Sequence, residues 1–99
     1  MRKGEAFEKA GNLEAARAEY VIAISNGYPG AAEKAELMRN KLVSRYSSAA
    51  RVAFAKQDLD NCIANWDRVL ILESGNSTAK FERERAVRIK TEVPNSIVK

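Results

Sequence analysis

Apolar residues recur along most of this chain at spacings of three and four, the interval that stacks side chains on one face of an α-helix. Leu13, Ala16, Tyr20 and Ala23 form one such stripe. Ala35, Met38, Leu42, Tyr46, Ala49 and Ala53 form a second, and Ala79, Ala86, Ile89 and Val93 a third. The period-two alternation of a β-strand is absent, so the pattern predicts an all-α fold. Punctuation residues divide it into about five helices. The first runs from about Arg2 to Ala10 and stops at Gly11. Asn12 caps the second, with Glu14 in its first turn, and that helix ends around Ser25 to Gly27 ahead of the turn Tyr28-Pro29-Gly30. Residues 31–57 hold no Gly or Pro. They predict one long helix of about 40 Å at 1.5 Å per residue, or two if Ser47-Ser48 breaks it by competing for backbone hydrogen bonds. Asp58 caps a fourth helix from Leu59 to about Glu73, closed by Ser74-Gly75-Asn76. The fifth spans 77–91, because Val93 precedes Pro94 and a residue before proline avoids the helical region. Residues 94–99 then form a frayed tail.

Length and composition narrow what such a chain does. Ninety-nine residues fit one domain, here 1–93, and a hydrophobic content of 45% suits a folded globule. With no histidine and one cysteine, Cys62, the usual metal-ligand clusters and imidazole acid–base chemistry are out of reach. A lone cysteine also precludes a disulfide framework within the chain and favours a reducing compartment such as the cytoplasm. No apolar run approaches the roughly 20 residues that span a bilayer, so no membrane insertion is expected. The net charge of +4 is uneven. Residues 1–76 carry 11 bases and 10 acids, whereas residues 77–99 carry six and three, so most of the excess lies in the last quarter.

Sliding the chain against itself by 46 residues exposes an internal repeat. Gly4 falls on Ala50, Phe7 on Ala53, and the turn Gly11-Asn12-Leu13-Glu14 on Gln57-Asp58-Leu59-Asp60. Ala16 falls on Cys62 and Tyr20 on Trp66, so a small residue precedes an aromatic by four in both copies. The small residue lets two helices approach, and the ring fills the space one turn away. In this respect the chain resembles the tetratricopeptide repeat family, whose 34-residue helix–turn–helix carries small and aromatic residues at fixed offsets. Gly4-x2-Phe7 and Ala16-x3-Tyr20 are similar to that pattern in the first copy. Tyr46, Ala49-Ala50, Cys62-x3-Trp66 and Ser74-Gly75-Asn76 are similar to it in the second. Ala50 and Ala53 depart from the family's glycine and tyrosine, Ser74 from its proline, and Pro29 arrives one residue late. The 46-residue offset exceeds the family period by 12, about three helical turns, which a longer third helix absorbs.

The resemblance implies antiparallel helix pairs of an α-solenoid fragment: repeat one at about 1–28, a linking helix 31–57 entering repeat two at 44–76, and a capping helix at 77–91. It implies a repeat core of Gly4, Phe7, Ala16, Tyr20, Tyr46, Ala50, Cys62 and Trp66. It further implies a non-enzymatic scaffold, with no cofactor, that holds a peptide or partner helix in a groove lined in the second copy by Ser47, Arg51, Phe54 and Ala55. The carboxylate clamp of some family members is not expected, because Glu5, Ser47, Arg51 and Ala55 occupy its places.

Plain packing accounts for most other features. Trp66 and Tyr20 read as core rather than as stacking platforms, and Cys62 as an inert buried thiol. Asp58 and Asp60 read as a helix cap and a first-turn charge rather than as a catalytic pair. No phosphate loop, nucleophile elbow or convergent titratable cluster supports an enzyme. The fifth helix mixes Lys80, Arg83, Arg85, Arg88 and Lys90 with Glu82, Glu84 and Glu92. Its three- and four-residue spacings predict ion pairs Lys80–Glu84, Glu84–Arg88 and Glu82–Arg85 on a solvated cap. The alternative is a basic module binding nucleic acid through this helix, disfavoured by the interleaved glutamates and by the scarcity of aromatics. Phe81 lies off the apolar stripe, as a contact with another chain or as a ring folded over Arg85. Two repeats are short for a family that normally stacks about three. Excision from a longer protein is therefore the first expectation and a homodimer the second.

Overall fold

A computed structural model describes the backbone of residues 1–98 and the side chains of residues 1–92. Among these residues every regular element is a helix: α1 (Arg2–Lys9), α2 (Leu13–Ser25), α3 (Ala31–Ala55), α4 (Leu59–Leu72) and α5 (Ser77–Val98). The fold is all-α, as the periodicity predicts.

Local chemistry sets most boundaries. Asn12 Oδ1 accepts from the Ala15 N–H at 3.2 Å and Asp58 Oδ1 from the Asn61 N–H at 3.3 Å, so both expected caps are formed. Asn76 caps α5 in the same way, accepting from the Ala79 N–H at 2.9 Å. The turns after α1 and α3 are one motif written twice. The N–H of Asn12 donates to the Phe7 carbonyl at 2.9 Å, and that of Asp58 to the Ala53 carbonyl at 2.8 Å. Each closes the six-to-one loop that ends a helix with a left-handed residue. That residue is Gly11 at φ +81° in the first turn and Gln57 at φ +63° in the second. Gln57 therefore stands outside the helix, and α3 ends at Ala55, two residues before the expected boundary.

One further point follows the leading sequence reading and two differ from it. α3 is one continuous helix with no break at Ser47-Ser48, since its i→i−4 ladder is not surrendered to those hydroxyls. Its buried stripe passes through Ala50 and Ala53, while Ala49, 100° around the axis, is exposed. α5 continues to Val98, past Pro94, where the expected end at residue 91 and tail from residue 94 are not seen. Proline lacks its own N–H, so it forfeits one ladder bond while its φ stays within the helical range. Lys99 lies outside the described residues.

The chain divides into two compact units, Met1–Leu42 and a second beginning at Val43, each gathering its own stripe, although the pattern reads as one domain. In the first unit α1 packs on α2, and Leu13, Ala16, Tyr20, Ala23, Ala31, Ala35, Met38 and Leu42 are buried. Gly4 is the contact point: a Cβ there would lie 2.6 Å from Tyr20 Cε1, so only glycine admits the ring. Tyr20 is fully buried and its hydroxyl donates to Glu8 Oε1 at 2.7 Å. Lys34 Nζ and Lys41 Nζ each stand 3.9 Å from the same carboxylate. Burial first, then the Glu8 bond and charge, push the Tyr20 phenol from 10.0 to about 12.

In the second unit, Ala50 and Ala53 of α3, Cys62, Trp66 and Val69 of α4, and Ala79 and Ala86 of α5 form one buried cluster. Tyr46, Phe54, Leu59, Ile63 and Leu70 pack around it. Seven of the eight expected repeat-core residues are thus buried or half-buried. Phe7 is the exception at 37% exposed. It lies 60° around α1 from Gly4, where the helix makes its contact with Tyr20, so its ring falls beside that contact.

Candidate functional site

The face of α3 that the resemblance singles out is built by helical geometry. Ser47, Phe54, Arg51 and Ala55 lie at roughly 60°, 40°, 100° and 140° from the buried Ala50, a contiguous strip along one side of the helix. Arg51 and Ala55 are exposed, while Ser47 and Phe54 are half-buried. Phe54 packs against the core cluster and Arg85 of α5 lies over its ring at 4.7 Å, so the ring is both wall and support. Phe54 and Ala55 join Gln57, Leu59 and Ile89 around an open pocket of about 550 Å³. That volume lies within the range of small-ligand sites.

Phe81 is not part of this place. It is 62% exposed and lies about 140° around α5 from the buried Ala86. Arg85 stacks on Phe54 rather than on Phe81, which leaves the Phe81 ring on the outer side of the helix.

Three guanidiniums of the second unit lie over aromatic rings. Arg51 covers Trp66 at 5.4 Å, Arg68 covers Tyr46 at 5.8 Å, and Arg85 covers Phe54. Such pairs occur about once per 70–80 residues, so three in one small unit set it apart. Arg68 also donates to Asn65 Oδ1 at 3.2 Å, and Arg85 reaches Glu82 Oε2 at 3.5 Å. Among the described residues no carboxylate or other side-chain oxygen receives the Arg51 guanidinium. The ring restricts its motion while its N–H edges stay open to solvent.

The bases of α5 are engaged differently. Arg83 meets Asp67 across to α4, and Lys90 meets Asp60 at 2.5 Å. Arg85–Glu82 and Arg88–Glu84, at 3.5 and 4.0 Å, pair along the helix at the expected spacings. Asp60 and Asp67 thus have partners that lie beyond any local spacing rule. Cys62 is fully buried, and burial pushes its thiol above its ordinary range. Among the described residues no group of three His, Cys, Asp or Glu could hold a metal ion, and no helix is long and apolar enough to cross a membrane.

Gln57, Leu59 and Ile89 also line the pocket and Arg85 lies over its Phe54 wall, and none of the four is legible as a site residue in the sequence. Gln57 alone carried a signal, since it aligns with Gly11 and therefore had to turn the chain. No protein-family model, curated protein or solved structure matches the chain significantly.

Proposed function

We propose that this chain is a non-catalytic helical repeat module, similar to tetratricopeptide repeats, that binds a peptide or partner helix along the Ser47–Arg51–Ala55 strip of α3. One observation carries the reading. Phe54 and Ala55 line an open apolar pocket, and the exposed Arg51 stands one turn upstream on the same strip. An apolar recess beside a solvent-facing cation suits side-chain capture rather than bond making, and among the described residues no pair of titratable groups lines it. The single buried thiol favours a reducing compartment such as the cytoplasm.

The rival surface is the basic face of α5. Arg83, Arg85, Arg88 and Lys90 each have a carboxylate within 4.0 Å, which leaves Lys80 as the one uncompensated base of α5 for phosphates among the described residues. Peptide-display selection against the full chain tests the reading. Selected peptides should lose at least tenfold in affinity for the variant Arg51→Glu with Ala55→Glu, while its helicity by circular dichroism stays that of the parent. Both substituted residues are exposed, whereas replacing Phe54 would disturb the core. Undiminished affinity moves the binding surface elsewhere, and steeply salt-dependent binding of duplex DNA or RNA would favour α5.

A further inference from the structure

We infer that the α3 strip selects peptides carrying one carboxylate two to four residues from one aliphatic side chain, with the carboxylate on Arg51 and the aliphatic group in the pocket of Phe54, Ala55, Leu59 and Ile89. This rests on the binding-module reading above and adds the chemistry of the ligand.

Charge complementarity defines the first half. Among the three arginines stacked on rings, Arg51 has no oxygen acceptor among the described residues, whereas Arg68 has Asn65 and Arg85 has Glu82. A guanidinium held on the Trp66 face has lost part of its rotational freedom before any ligand arrives. Its fork of donors matches a carboxylate, and the pairing is charge-assisted. A ligand cation there would meet repulsion, and a neutral amide would gain half the geometry and none of the charge.

The pocket defines the second half. Among the described residues its walls are a phenyl ring, an alanine methyl and two aliphatic side chains, with Gln57 the one polar lining residue. Arg85 lies over the Phe54 ring and the ring packs against the core cluster, so its motion is restricted before binding. About 550 Å³ admits a leucine or isoleucine side chain with part of its backbone, and burying such a group removes apolar surface from water.

Geometry joins the two. Arg51 precedes Phe54 and Ala55 by three and four residues, a rise of about 4.5–6 Å along α3. Two groups that distance apart lie two residues apart in an extended peptide and three or four apart in a helical one.

Twelve-residue fluorescein-labelled peptides test it directly. Each carries one Glu and one Leu, two, three or four residues apart and in either order, on a background of Ala, Ser and Gln. Their counterparts are Glu→Gln and Leu→Ala. By anisotropy at 50 mM salt, at least one parent peptide should bind the full chain tenfold or more tightly than either counterpart. Arg51→Gln should abolish the preference for Glu over Gln while keeping that for Leu over Ala. Ala55→Trp, which fills the pocket from an exposed position, should do the reverse. Equal binding of the Gln counterpart, or a Glu preference that survives Arg51→Gln, overturns the inference. If every designed peptide fails while display-selected peptides still bind through the strip, the inference falls and the binding-module reading stands. If selection yields none either, both fall.

Discussion

The two helix–turn–helix pairs face one problem, how to seat an aromatic ring between antiparallel helices, and solve it in opposite ways. In the first unit the facing position is Gly4, and Tyr20 lies so close that no side chain could intervene. Its hydroxyl is then satisfied from inside by Glu8, with two lysines nearby. In the second unit the aligned position is Ala50, buried in the same cluster as the Trp66 ring, and the polar partner is Arg51 on the ring's face. One unit hides its polar contact and the other leaves it open to solvent. Similar packing is thus compatible with a polar contact turned inward in one copy and one left open to solvent in the other.

The largest test of that contrast removes a ring. Trp66→Ala should cost about 3–5 kcal/mol in urea denaturation, because a fully buried indole leaves a cavity. A loss below about 1 kcal/mol would mean that the second unit does not depend on its ring. Exchanging the small residues comes next. Gly4→Ala should lose about 1–2 kcal/mol net, the overpacking against Tyr20 exceeding the gain in helix propensity. Ala50→Gly should lose about 1 kcal/mol for the opposite reason, a missing methyl and a freer backbone. If Gly4→Ala stabilises instead, the two seats are equivalent and the contrast fails.

The hidden phenol gives a pH signature of similar size. In the folded state Tyr20 keeps its proton to about pH 12, whereas the unfolded chain releases it near 10. The native state therefore binds more protons in that interval, and stability falls as pH rises from about 10 to 12, by up to about 1.4 kcal/mol per pH unit. Below 10 the contribution is constant. Tyr20→Phe should remove this component from the alkaline unfolding curve, and an unchanged slope would refute the enclosure of the Tyr20 phenol beside Glu8. The smallest effect concerns the turns. Gln57 adopts φ +63° where its counterpart is glycine, so Gln57→Gly should stabilise by about 0.5–1 kcal/mol. The reverse change, Gly11→Gln, should cost a similar amount.

Features set by near neighbours were open to sequence reasoning. Asn12 and Asp58 as caps, the Gly11 turn, and the Leu13–Ala16–Tyr20–Ala23 stripe follow from capping chemistry and a 3.6-residue period. The duplicated turn follows from aligning two copies, since Gln57 stands where Gly11 does. What stayed hidden depends on how helices face each other. Arg85 and Phe54 are 31 positions apart, and Ile89 reaches the pocket from α5 only because of where that helix packs. Asp67 takes its partner from Arg83, 16 residues on and outside any local spacing rule. Phe7 was misjudged for a related reason: its offset from Gly4 is right for a shared face, but the close approach at Gly4 puts Tyr20 against the backbone and leaves Phe7 beside the contact.

Cys62 makes the molecule convenient for attaching reporters. It is the one cysteine in the sequence, wholly enclosed, and its thiol resists forming the reactive thiolate. The native chain should ignore maleimides and aromatic disulfide reagents, then consume one equivalent once denatured. A cysteine introduced at the exposed Ala55 would accept a dye selectively, and would set that dye at the pocket mouth without first deleting the natural thiol.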